Sequence, residues 1–158
     1  MIRISISLII LAFFACNSNL PENIINPPGA TVKTRINAPE GYHWKIEDPG
    51  SFGEFLQNLE LKPVGTKILD YKGNPIGNQS EHVAVIKKDI GNKDLQQCAD
   101  VVIRLRADYL WEQNKKDKIE FHFTNGDLFK WNEYKNGIRP VLVTNNKIRF
   151  EKRASFDD

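Results

Sequence analysis

The stretch DLQQCADVVIRLRADYLW, residues 94–111, decides the fold. Leu95, Cys98, Val102, Leu105 and Tyr109 recur at steps of three and four, which puts them on one face of an α-helix. Ala99, Ile103 and Leu110 widen that stripe, and neither proline nor glycine interrupts it. Ala, Leu, Arg and Gln favour a helix, so the pattern predicts one long helix over about residues 94–113. Asn92 or Asp94 is placed to cap its start. Gln96 and Arg106 fall on the outer face, and the lysines of 115–118 suit the negative end of the helix dipole. Asp100, Arg104 and Asp108 lie four apart. As an exposed ladder each pair is worth only about 0.3–0.5 kcal/mol. Partly buried, Asp100 and Arg104 would instead anchor backbone or a ligand.

Outward from the helix the pattern changes. Toward the amino terminus, 31–36, 42–46 and 66–71 read as strands, and 82–90 reads as the best strand because Val83, Ala84, Val85 and Ile86 form a bounded apolar run. Ser51 and Glu54 match a capping box before a short helix over 52–59, ended by Pro63. Toward the carboxyl terminus, Ile119, Phe121 and Phe123 alternate with polar residues, a half-buried strand. Asn125-Gly126 is a turn signal. Asp127 is placed to cap a short helical segment, and 139–144 with 147–151 reads as a hairpin across Asn145-Asn146. Strands and helices follow no regular alternation. That order predicts a single α+β domain, with a largely antiparallel sheet packed against the long helix.

The chain has 158 residues, enough for one domain. A net charge of +2 with scattered lysines gives no case for nucleic acid. The first 15 residues stand apart: Arg3 is followed by an almost wholly apolar run over 4–15, closing on Phe13-Phe14-Ala15-Cys16. About a dozen apolar residues suit a signal-peptide core, whereas a membrane-spanning helix needs about 20. A small residue before cysteine at that place resembles a bacterial lipobox. The resemblance implies removal of residues 1–15, lipid (palmitate among the acyl chains) on Cys16, and a membrane-anchored protein of the cell envelope. Residues 16–30, rich in Asn and Pro, read as the tether, and 31–158 as the globular domain.

Four motifs carry a further likeness: SFGEFLQNLELKP at 51–63, HVAVI at 82–86, DLQQCADVVIRLRADYL at 94–110 and FTNGD at 123–127. Together they resemble the domain of unknown function 4846 family, exported proteins of Bacteroidetes and relatives. The resemblance implies no activity. It also implies further helix beyond residue 158, which would make this chain a fragment or a short member of that family.

With Cys16 lipidated, Cys98 is an unpaired thiol. It reads either as a small apolar core residue or as a nucleophile. A nucleophile needs a base in hydrogen-bond reach and a group to orient that base. His82 and Asp100 are the candidates, and the chemistry would be that of an amidase or peptidase. Zinc held by Cys98, His82 and His122 lacks any close ligand pair, and no cofactor motif is present. Against the hydrolase stands a binding or structural module for a cell-wall, glycan or peptide ligand. Gln97, Arg104, Asn125 and Trp131 are its candidate contacts, with Trp131 and Tyr134 the aromatics expected at the surface.

Overall fold

The computed structural model describes residues 24–144 and 147–153. The expected signal segment, Cys16, most of the expected tether and residues 145–146 lie outside the described residues. In chain order the elements are α1 (Val32–Arg35), α2 (Phe52–Gln57), α3 (Cys98–Glu112), a 3-10 turn (Lys116–Lys118), β1 (Glu120–His122), β2 (Leu128–Lys130), α4 (Trp131–Lys135), β3 (Ile138–Thr144) and β4 (Lys147–Lys152). This is the expected α+β domain with one long helix. Its strands pair antiparallel as two separate ribbons, β1 with β2 and β3 with β4.

Local chemistry accounts for most of these elements. Ser51 Oγ accepts from the Glu54 N–H at 3.1 Å, and the Glu54 carboxylate accepts from the Gly50 N–H at 2.6 Å, so two donors at the start of α2 are satisfied. The β1–β2 turn is closed by Asn125, whose Oδ1 accepts from the Asp127 N–H at 3.0 Å. Gly126 there has φ +91, a conformation that glycine adopts without a Cβ penalty. Phe121 faces Phe129 across this ribbon. Phe150 of β4 stacks on Phe129 with centroids 5.5 Å apart, joining the two ribbons.

The core lies at the carboxyl-terminal half of α3. Tyr109, Leu110 and Ile119 are buried there, with Phe52, Phe55, Ala107, Phe121 and Trp131 packed around them. The Tyr109 ring sits 5.2 Å from Phe52 and 5.7 Å from Phe55. Its hydroxyl donates to the Gly50 carbonyl at 2.7 Å, so the polar tip of a buried ring is satisfied.

Several expectations need correction. Residues 32–35 form α1 rather than a strand, with Thr31 and Ile36 flanking it in single bridges to Glu60 and Ile25. Thr31 and Thr34 cap reciprocally, with the Thr31 N–H donating to Thr34 Oγ1 at 2.9 Å and the Thr34 N–H to Thr31 Oγ1 at 3.3 Å. Residues 42–46 form no strand, and Tyr42 and Ile46 are exposed. The segments 66–71 and 82–90 form no strand and make only single bridges, Leu69 to Pro75 and Leu61 to Ile86, with bends at 83 and 87. Asp127 caps no helix, since β2 intervenes before α4. The long helix begins at Cys98, not 94, because the Asp100 carboxylate accepts from the Gln97 N–H at 3.0 Å and closes its first turn. Neither Asn92 nor Asp94 caps it.

The largest correction concerns the apolar stripe. Tyr109 and Leu110 are only 8% and 6% exposed, but Leu95 is 69% and Val102 63% exposed. Ile103 and Cys98 are exposed too. The core reading of Cys98 therefore fails. The stripe is real, yet only its carboxyl-terminal half is covered, because α2 ends at Gln57 and its rings meet α3 at Tyr109. Arg106, expected on the outer face, marks the boundary: its guanidinium lies over the Phe52 and Tyr109 rings at 5.2 and 5.1 Å. In urea unfolding, Leu110→Ala is expected to cost about 2–5 kcal/mol. Val102→Ala is expected to stay within about 0.5 kcal/mol, as exposed positions do.

Candidate functional site

Of the candidate site residues, the groove beside the amino-terminal half of α3 holds Arg104. Its floor is the segment 84–90 and its far wall is α3. About 320 Å³ is bounded by Ile68, Ala84, Ile86, Val101 and Leu105, with Lys88 and Arg104 at the rim. Two features position Arg104. One Nη1 donates both to the Asp89 carbonyl and to Gln96 Oε1, and Gln96 Nε2 donates to the Ile90 carbonyl at 2.9 Å. The helix is thus tied to the loop preceding it by side chains that cross to backbone. Asp108 completes the cluster, with Lys88 Nζ 2.6 Å and Arg104 Nε 3.8 Å from the same oxygen. Two cations share one carboxylate. All three side chains are about one-third exposed, so solvent screens the pairing.

This arrangement settles how the expected ladder is wired. Arg104 pairs toward Asp108 and the 89–96 loop, while Asp100 turns to the Gln97 N–H. Asp100 is a capping residue in this fold. Gln97 is the exposed cap of α3 and borders a second groove of about 210 Å³ with Leu69, Tyr71 and Ile90. Asn125 builds the β1–β2 turn, its amide donating to Asp127 Oδ2 at 2.7 Å. Trp131 is half-buried, packed edge-on to Trp111 at 5.3 Å and tilted on Tyr134 at 5.6 Å. Asn125 and Trp131 lie away from the groove. Lys88 and Gln96 belong to it: Gln96, expected on the outer face, turns instead to Arg104 and Ile90, and Lys88 is not among the sequence candidates. The spacing of Arg104 and Asp108 was a usable signal, but nothing local marks Lys88 as their neighbour.

Cys98 is exposed at the first position of α3. His82 lies in a different recess, about 470 Å³, with Pro63, Val64 and Gln79. Its Nε2 faces the Thr66 carbonyl at 2.9 Å, so that nitrogen carries the proton and Nδ1 is the free one. Nδ1 is buried and has no hydrogen-bond partner among the described residues. Cys98 and His82 make no hydrogen bond to each other there. His122 binds the Gly126 carbonyl through Nδ1 at 2.9 Å. Among the described residues no three His, Cys, Asp or Glu side chains converge as metal ligands, and no helix is long and apolar enough to cross a membrane.

The segment 67–71 forms the outer lip of the grooves and is held by Asp70. The Asn74 backbone N–H, 2.8 Å away, is the main cause keeping the Asp70 carboxyl below its ordinary 3.8; the Asn74 side chain and the Lys72 N–H add to it.

The fold and groove define a small α+β domain organised on one half-covered helix. The chain belongs to the domain of unknown function (4846) family, whose model matches residues 32–158. No curated protein and no solved structure matches the chain.

Two outcomes follow from the geometry. Because Cys98 is exposed, a maleimide is expected to label it in the folded protein, and Cys98→Ala should change stability by no more than about 0.5 kcal/mol. A thiol that reacts only after denaturation would contradict the placement. Because the folded Asp70 carboxyl is depressed, the stability it adds is present above the unfolded value and is lost as pH falls through the lower folded value. The Asn74 amide resonance should therefore titrate with a midpoint below 3.8, and Asp70→Asn should abolish that step.

Proposed function

We propose that this chain is a binding module of the cell envelope, tethered to a membrane by lipid on Cys16. The tether reading rests on the apolar run at 4–15 ending in Ala15-Cys16. Several acyl chains together anchor a protein stably, whereas one alone binds only marginally. The binding reading is carried by a single observation, the uncovered apolar half-face of α3. Val102 and Ile103 stand exposed on the same stripe that is buried at Tyr109, and Leu95 is exposed just before the helix begins; exposed apolar surface of this kind marks interaction sites. The ligand classes that suit it are peptide or cell-wall material at the membrane face.

One observation favours a second reading, a cysteine-dependent hydrolase using Cys98, His82 and Asp100. Cys98 stands open to solvent at a helix start, as an attacking thiol must. The groups that would assist it are engaged elsewhere: Asp100 caps the helix, and His82 binds Thr66.

Fractionation of cells tests the tether: Cys16→Ala should move the protein from the membrane to the soluble fraction, and an unchanged membrane fraction would contradict it. A photo-reactive side chain placed at Val102 in intact cells tests the binding face. A discrete adduct is expected there and not with the same group at Lys118; no adduct at Val102 would overturn the reading.

A further inference from the structure

The carboxyl-terminal ribbon has one blunted edge and one open edge. β3 and β4 pair only with each other among the described strands. The Arg153 N–H donates to the Gly137 carbonyl at 2.8 Å, and bonded pairs of an antiparallel ladder alternate with unbonded ones. The register therefore places the ladder bonds at Arg139–Glu151 and Val141–Arg149. Pro140, which has no N–H to give, falls at the other parity, opposite Phe150. On β3 that proline removes a donor from the outer edge, and the register shift between Leu142 and Thr144 bends the strand. β4 has neither device. The N–H and C=O groups of Ile148, Phe150 and Lys152 point to its outer edge, with no backbone partner among the described residues.

That edge is complementary to itself. β4 is the six-residue strand Lys147–Lys152. Laid antiparallel on a second copy, about a two-fold axis at Phe150, Ile148 meets Lys152 and Phe150 meets its own copy. These positions face outward on both strands, so they exchange about six main-chain hydrogen bonds. Between them Arg149 falls opposite Glu151 on each side of the axis, and opposite charges across a strand pair attract where like charges repel. A shift of two residues either way sets Arg149 against Arg149, or Glu151 against Glu151, and gives up bonded pairs within the strand. In one chain Glu151 accepts from Arg149 Nε at 2.6 Å and from Arg153 Nη2 at 2.9 Å. Arg149 is still 67% exposed, and its guanidinium keeps donors for a second carboxylate. Phe150 is 37% exposed beside its stack on Phe129, and the facing Phe150 would cover it. Beyond the last bonded pair Lys147 meets Arg153, and those like charges end the pairing there.

We propose that the chain self-associates through β4, two copies forming one continuous antiparallel sheet in the order β3, β4, β4, β3. The blunted β3 edges then lie outermost, which closes the assembly at two copies instead of propagating it. Another protein's strand could satisfy the same main-chain groups, but a copy of β4 supplies both Arg149–Glu151 pairs by symmetry. Two short strands make a small interface beside the roughly 1,200 Å² of a stable one, so the dimer is weak and forms with rising concentration. The inference uses neither the lipid tether nor the exposed half-face of α3.

Sedimentation of the full chain in mild detergent tests it. The mass should rise from one copy to two with concentration and go no higher. Arg149→Glu and Glu151→Arg should each weaken association at least about tenfold, since each turns both cross-strand pairs into like charges. An equimolar mixture of the two variants should regain the dimer, because each variant then faces the charge it lacks; unfolded chains would not do this. Lys152→Pro, which removes an outward N–H and leaves the ladder to β3 intact, should weaken association about tenfold. A chain that stays monomeric at every concentration, or a mixture that stays monomeric, would overturn the proposal. So would a Lys152→Pro chain that associates unchanged, or growth past two copies. Dimers lost in Val102→Asp but kept in Arg149→Glu would place the contact on α3, overturning the β4 pairing while leaving the binding-module reading intact.

Discussion

Everything in this fold is referred to one contact, the Tyr109 ring of α3 against Phe52 and Phe55 of α2. Among the described residues the buried apolar side chains are Leu61, Tyr109, Leu110 and Ile119, and three of these four form that single cluster. Burying a side chain of this size is worth about 1.5–3 kcal/mol, so the fold's hydrophobic stabilisation is concentrated at one end of α3. The capping of α2 by Ser51 and Glu54, and the Tyr109 hydroxyl on Gly50, fix the approach of the two helices. The Arg106 guanidinium closes the cluster on its open side.

The side of α3 that faces 84–90 is held in another way. Its contacts there are largely polar and run to a loop: Arg104 to Asp89 and Gln96, Gln96 to Ile90, Lys88 to Asp108. Exposed ion pairs contribute little stability, but hydrogen bonds from side chain to backbone set the register of α3 against 84–90. The helix thereby presents an apolar half-face to solvent while its other side walls a groove. The exposed half-face and the groove both arise from a helix that is longer than the core supporting it.

Much of this was legible in the residues, wherever the signal is local. The Ser51 cap, the Asn125-Gly126 turn and the pairing of 139–144 with 147–151 each depend on nearby residues and formed as read, except that Glu54 closes on the Gly50 N–H rather than on Ser51 as a capping box would. The helical spacing of 98–112 was equally local. What misled was periodicity taken as a statement about burial. Leu95, Cys98 and Val102 have the spacing of a core face, but only a partner element can bury them, and α2 reaches no further than Tyr109. Alternation in 31–36 lost to the reciprocal caps of Thr31 and Thr34. The apolar run 83–86 has the composition of a central strand, yet its flanking segment 68–70 pairs back on 74–76 and leaves it one neighbour. Among the site candidates, Arg104 was recognisable from its place on the helix. Lys88 was not, because it meets Asp108 only through the tertiary fold.

Amide hydrogen exchange along α3 tests this account most directly, since it reports how firmly each turn is held. Residues 108–112, over the aromatic cluster, should exchange far more slowly than residues 102–105, even though both lie within the hydrogen-bonded helix. Uniform protection from 102 to 112 would contradict it, because the amino-terminal half of the helix would then have a cover that this structure does not provide.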